Sequence, residues 1–272
     1  MNIVGQITER LARLLSRDLR RFTDPDAQRQ WLSTRVQARN HWTFAHLRDG
    51  RQIDEWAFDN LVVNEGLNAL LNRTFDAVGA DVNWYVGLIG AGTGTVAITS
   101  GAAAVTGTGT TFDTGLDAAP IADIIIVGAG ASGADLIQTV ATFTSGTSIT
   151  LSGNASTTVS GASFAAEPVA SDTLASKINC WNEVTPYSNA NRPTWTKNGS
   201  ASGGAMSNSS SKASFSVNAT SRIFGGFLAN NNTKGGTTGT LYGGGLFITT
   251  GSRAVVNGDT LNVQVDLSVT AS

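Results

Sequence analysis

Thr260-Leu261-Asn262-Val263-Gln264-Val265-Asp266-Leu267-Ser268-Val269 alternates apolar and polar side chains without a break. Leu261, Val263, Val265, Leu267 and Val269 keep the two-residue repeat of a strand, which no helical period reproduces. One apolar face and one polar face mark an antiparallel strand lying between a core and water. Ala213, Phe215, Val217 and Ala219 repeat the pattern. Residues 166–272 therefore read as strand and loop.

The composition points the same way. Apolar residues make up 41% of the 272, enough for a core, while charged residues are only 14% against a usual quarter. There are 31 glycines and 5 prolines, and Thr, Ser, Ala and Asn fill the rest, as in a thin all-β architecture rich in turns. Glycine follows no strict triplet, which excludes collagen. A net charge of −2 predicts no general attraction to nucleic acid. The lone Cys180 excludes an intramolecular disulfide framework and a cysteine-rich zinc site. No apolar run is long enough for a membrane-spanning helix. Near the first residue, charge comes too early and too often for a signal-peptide core.

Charge is unevenly spread. Residues 1–82 hold 11 of the 18 basic and 11 of the 20 acidic side chains. Residues 93–165 carry four acids (Asp113, Asp117, Asp123 and Asp135) and no base. These shifts predict a helical attachment arm over 1–40, a β-sandwich core from 41–92 with 166–272, and an inserted Thr/Gly-rich β-module over 93–165. The fold class expected is mainly β: an antiparallel β-sandwich with an inserted small β-barrel or sandwich module and an N-terminal α-helical arm.

In the arm, Ile3, Ile7, Leu11, Leu14, Leu15, Leu19 and Phe22 recur at steps of three to five, with arginines between them. Thr23-Asp24-Pro25-Asp26 breaks this helix, and a second segment runs on through Ala27, Trp31, Leu32 and Val36. A lone amphipathic helix is marginal in water, so its stripe needs a partner. Glu9, Asp18, Asp24 and Asp26 dilute the basic face and argue against lipid or nucleic acid. From Trp42 two strands surround Arg48-Asp49-Gly50, a short helix capped near Asn64 runs to about Phe75, and Trp84–Ile89 is a strand. The module's strands are expected at 96–99, 103–106, 123–127, 138–142 and 148–151.

Three motifs invite chemical readings. Ile124–Gly133 is a strand followed by G-x-G-x-x-G. A dinucleotide fold needs a helix next and an acid about 20 residues on, and neither is present, so a glycine hairpin is the better account. Lys234-Gly235-Gly236-Thr237-Thr238 has the wrong order for a phosphate loop and reads as a strand connection. His41 and His46 are the only histidines and would face opposite sides of a strand, with no metal-ligand cluster beside them. No catalytic residue, cofactor or metal site is expected. Six tryptophans read mostly as core, with Trp195 in loop-like Asn191–Trp195 as the one candidate ligand contact.

Several runs together resemble small virion structural proteins of tailed bacteriophages, of decoration, fibre or collar type. They are Asn60–Leu71, Trp84–Ile89, Ser171–Ser176, Tyr187–Trp195, Thr233–Leu241 and Gly258–Val263. The second and third usually lie close together, whereas here about 75 residues separate them. Stretches such as Gly94–Gly101 and Val105–Phe112 are similar to small β-modules on phage fibres and baseplates. The resemblance implies a non-enzymatic part of the head, collar or tail, located in the virion and assembled in the bacterial cytoplasm. Implied partners are other virion proteins (capsid, portal or neck, or tail ring) and copies of the chain itself, a trimer included, with no nucleic acid and no membrane. Docking would use Ile3, Ile7, Leu11 and Leu14, with Arg13 and Arg17 at the rim. Burying seven large apolar side chains is worth on the order of 10 kcal/mol before ordering costs. The alternative is a receptor- or carbohydrate-binding fibre module that uses the inserted domain or the Trp195 loop.

Overall fold

In the computed structural model, Thr260–Ala271 is one continuous strand, as its alternation requires. Leu261, Val263 and Val265 are buried and the residues between them half-buried. The structure describes residues 36–75, 83–113, 116, 122–175 and 180–271. The first helical segment and its docking residues Ile3, Ile7, Leu11, Leu14, Arg13 and Arg17 lie outside them. The second segment is corrected at its end, because a strand begins at Val36. The boundary expected after residue 40 therefore falls inside that strand.

The chain is mainly β, with 48% strand and 7% helix, and its sheets are antiparallel. In chain order the strands are β1 (Val36–Arg48), β2 (Arg51–Val62), β3 (Tyr85–Gly90), β4 (Thr95–Ile98), β5 (Ala104–Thr108) and β6 (Asp123–Ile126). Next come β7 (Leu136–Ser145), β8 (Ser148–Leu151), β9 (Val159–Ala162), β10 (Phe164–Ala166), β11 (Asn182–Glu183) and β12 (Ala205–Ser207). The last are β13 (Ala213–Ser216), β14 (Ser221–Ile223), β15 (Gly225–Ala229), β16 (Leu241–Leu246), β17 (Arg253–Val255) and β18 (Thr260–Ala271). One helix, α1 (Asn64–Phe75), succeeds β2.

The chain divides into two compact units, Met1–Ala38 with Val269–Ser272 and Arg39–Ser268, and the apolar core lies in the second. Nine strands form one sheet in the order β11-β3-β15-β16-β2-β1-β18-β12, with β13 also on β18. Seven strands form another, β10-β6-β7-β8-β5-β4-β9, and all seven come from residues 95–166. β9 and β10 add to the five strands expected there. β9 carries a glycine inside its four residues and β10 is only three residues long, so neither shows a period.

The nine-strand sheet curls over its own face. β16 and β2 share only the pairs Gly243↔Val62 and Gly244↔Leu61, so the sheet can bend there. The β1–β2 hairpin then folds its inner face onto β15 and β16. That face is aromatic: Trp42 opposite Phe58 and Phe44 opposite Trp56, with Phe247 packed against three of these rings. The rings approach so closely that a Cβ at Gly226 would stand 2.8 Å from Phe44 Cζ and 2.9 Å from Trp42 Cζ3. Only glycine leaves the gap that the aromatic ladder fills. The two sheets share one continuous apolar core, in which Val96, Ile124, Ile149 and Phe164 meet Ile89, Trp181, Phe227 and Leu246.

α1 starts where Asn64 was expected to cap it, and tertiary contacts fix the start. The Asn64 N–H donates to the Ala170 carbonyl at 2.8 Å, and the Glu65 carboxylate accepts the Leu241 N–H at 2.7 Å. A Cβ at Gly66 would come 2.2 Å from the Tyr242 carbonyl oxygen. The glycine in Asn64-Glu65-Gly66-Leu67 is thus where the helix lies directly on β16.

Candidate functional site

Three polar clusters are the places where chemistry would be sought. The first gathers Glu183, Arg192 and the Lys234-Gly235-Gly236 turn. Arg192 Nε donates to Glu183 Oε1 at 2.9 Å and Arg192 NH2 to Oε2 at 2.7 Å, with both side chains out of water. The same guanidinium donates to the carbonyls of Asn231 and Gly236, and lies 5.1 Å from the centre of the Phe227 ring. The Gly235 N–H donates to Glu183 Oε2. Lys234 Nζ donates to the carbonyls of Tyr187 and Asn189 and sits 4.4 Å over the Tyr187 ring. The lysine and glycines that loosely suggested a phosphate loop thus engage the chain's own carboxylate, carbonyls and ring. A bidentate fork whose guanidinium also bonds two carbonyls is a cross-link between distant segments.

The second cluster surrounds Asp259, which is buried in the turn before β18. His46 Nε2 lies 2.8 Å from Asp259 Oδ2, and Arg48 donates to both carboxylate oxygens at 2.7 and 2.9 Å. The Val256 N–H donates to the same carboxylate. The bound Arg48 guanidinium outweighs burial and holds the Asp259 carboxyl well below the ordinary range. The His46 ring packs on Trp56, whose indole N–H donates to Asp54. His46 and His41 do face opposite ways: His41 is exposed and pairs with Asp59 at 2.9 Å. A His–Asp contact is half of a nucleophile-activating triad. Here the carboxylate is shared with an arginine and a backbone N–H, which ties the β1 end to the turn before β18.

The third cluster is the glycine-rich loop. Ile126 pairs with Leu136, so Val127–Asp135 connects two antiparallel strands, as a hairpin reading requires. The next element is β7, not a helix. One 3-10 turn at Ala131–Gly133 intervenes, and the Ala129 carbonyl accepts the N–H groups of Ser156 and Thr157. At the end of the loop the Asp135 carboxylate accepts the Ser252 N–H and hydroxyl, and Ser252 also takes a bond from Arg222.

Trp195 requires a correction. It is buried, and its indole N–H donates to the Val265 carbonyl at 3.0 Å. Its loop-like surroundings dock on the start of β3: Val86 N–H donates to the Pro193 carbonyl, and Trp195 N–H to the Trp84 carbonyl. Proline and asparagine around it signalled irregular backbone, and irregular backbone here is not exposed backbone. Cys180 is buried, as expected of a small apolar side chain. Burial pushes its thiol up to about 12, out of reach of thiolate chemistry at neutral pH.

Among the described residues no three His, Cys, Asp or Glu side chains are grouped to hold a metal ion, and no helix is long and apolar enough to cross a membrane. Glu183, Arg192 and Asp259 escaped the sequence reading as site residues. The available signal was rarity: an arginine stands out in a stretch with so few charges. Comparison with protein-family models, curated proteins and solved structures finds no match to this chain.

Proposed function

We propose that this protein is a non-enzymatic structural component of a tailed-phage virion, a head, collar or tail appendage attached through its N-terminal amphipathic segment. The finer architecture belongs to the same proposal: a β-sandwich core, 93–165 as an inserted module, and the segment before β1 as the arm. The supporting observation is the convergence of segments that carry the resemblance to virion proteins. Arg192 and Glu183 form a buried pair that also bonds the Gly236 carbonyl and the Gly235 N–H, and the neighbouring Lys234 bonds the Tyr187 carbonyl. Glu65 pins Leu241, and Asp259 anchors the β1–β2 hairpin. Such residues hold backbone segments in place, and a virion part needs its shape held. The arm supplies attachment: Ile3, Ile7, Leu11 and Leu14 would bury against a capsid, neck or tail ring or a sister copy, with Arg13 and Arg17 at the rim.

The test is deletion of residues 1–22 in the phage that encodes the chain, followed by protein analysis of purified particles. Loss of the chain from particles, with the truncated protein still folded, supports attachment by the arm. Normal incorporation refutes it. Light scattering on the full chain and on a version lacking residues 1–35, which leaves β1 whole, separates the partners. An oligomer that becomes a monomer points to self-assembly, and monomers in both cases point to a foreign ring.

A further inference from the structure

Asn-Gly occurs twice in the chain, as Asn198-Gly199 and Asn257-Gly258, and all four residues are exposed. A Cβ at either glycine would meet nothing within 4 Å, so neither glycine nitrogen is sterically shielded. Their hydrogen bonds differ. The Gly258 N–H donates to the Val217 carbonyl at 2.9 Å. The Gly199 N–H donates to no group among the described residues.

The two asparagine amides differ as well. The Asn198 N–H donates to the carbonyl of Ser207, the last residue of β12, at 2.7 Å. Asn198 Oδ1 accepts the Ser210 N–H at 3.2 Å and the Ser210 hydroxyl. Asn198 Nδ2 donates to the Ser209 hydroxyl oxygen at 2.7 Å. This serine turn is anchored by buried Asn208, whose Oδ1 accepts the Val265 N–H at 2.7 Å and whose Nδ2 donates to the Val263 carbonyl at 3.2 Å. β18 thus holds two donors on the Asn198 amide oxygen, and Asn257 Oδ1 accepts none among the described residues. A hydrogen bond to an oxyanion is about twice as strong as one to a neutral carbonyl, so donors fixed in advance favour the charged transition state.

We propose that Asn198-Gly199 is a self-modifying site that converts Asn198 to aspartate and isoaspartate through a cyclic imide, with Ser210 as the oxyanion donor. The Gly199 nitrogen attacks Asn198 Cγ and forms a new C–N bond, while the negative charge that builds on Oδ1 takes the two Ser210 bonds. The Cγ–Nδ2 bond then breaks, and Nδ2 leaves as ammonia with the proton given up by Gly199. Water opens the imide at either carbonyl. Opening at Cγ yields aspartate, and opening at the backbone carbonyl yields isoaspartate. Ammonia leaves and water enters, so no oxidant or reductant is needed. At Asn257 the oxygen lacks such donors, and Gly258 must first give up the Val217 carbonyl. The product adds one negative charge to an exposed loop. The site does not depend on the virion reading.

The test is incubation of the full chain at mildly alkaline pH, with peptide mapping by mass spectrometry to follow amide-to-acid conversion at both asparagines. Asn198 should convert at least about fivefold faster than Asn257, the worth of one hydrogen bond in the barrier. In concentrated urea the two rates should converge, because the fold sets the difference. Ser210→Ala keeps the backbone N–H and should slow conversion at Asn198 by about five- to tenfold, leaving Asn257 unchanged. Bonds that merely restrained the amide would give the opposite sign. Faster conversion in Ser210→Ala, an Asn198 that stays intact, Asn257 converting first, or a difference that persists in urea overturns the proposal.

Discussion

Glu183 and Arg192 face each other through two hydrogen bonds of 2.9 and 2.7 Å, with neither side chain in contact with water. The pair ties β11 to the Arg192–Trp195 segment and, through the Gly236 carbonyl, to the turn before β16. Removing one partner strands the other charge inside the protein. Arg192→Met should cost about 3–5 kcal/mol. Arg192→Lys should recover only part of this, because an ammonium cannot span both carboxylate oxygens. Urea unfolding followed by tryptophan fluorescence measures both, and a loss under about 1 kcal/mol for Arg192→Met would mean that the pair does not hold these segments together.

Asp259 predicts acid sensitivity. Its carboxyl is held below its ordinary value of 3.8 by Arg48 first, then by the Val256 N–H and His46. A depressed acid contributes stability above its unfolded value and loses it as pH falls toward the folded one. Asp259→Asn should therefore cost about 2–4 kcal/mol at neutral pH, and the gap to wild type should close below about pH 4. Urea midpoints across that range decide. A gap that stays constant with pH would mean that the carboxylate charge is not what holds the hairpin.

Gly226 tests the curl of the large sheet. An added methyl would stand 2.8 Å from Phe44 Cζ and 2.9 Å from Trp42 Cζ3, both inside a packed aromatic ladder. Gly226→Ala should destabilise by about 1–3 kcal/mol and disturb the near-ultraviolet circular dichroism of the tryptophans. Adding Phe44→Leu should restore part of that loss. If the single variant matches wild type, the ladder is not seated on β15.

Trp195 separates a packing role from a ligand-contact role. Trp195→Phe keeps a ring but deprives the Val265 carbonyl of its donor, at about 1–2 kcal/mol. Thermal unfolding should show that loss, and a glycan array should be equally blank for both proteins. Glycan binding by wild type that vanishes in Trp195→Phe would reinstate the contact reading.

Periodicity carried the strand assignments as far as the strands were long. Five apolar residues on alternate positions of β18 identified it, and Asn64 marked the start of α1. β9 was missed because Gly161 stands inside its four residues, and β10 because Phe164-Ala165-Ala166 is too short to repeat. The glycine loop was legible through the residues after it, since Ala134–Thr150 offers no helical face and the chain enters β7. Trp195 misled because local turn chemistry reports backbone shape and says nothing about what covers it.

Local residue order thus establishes an antiparallel β protein, charge-poor beyond residue 92, with a hairpin where a dinucleotide loop might have been read. Those features depend on neighbours within a few positions, where backbone sterics and side-chain period act. The partners of the buried charges could not be read this way. His46 meets Asp259 across 213 positions, Glu65 reaches Leu241 across 176, and Asp135 reaches Ser252 across 117. Each pairing exists because glycine strands let the large sheet curl and because two sheets share one core. Burial then makes each unpaired charge costly enough to demand its partner.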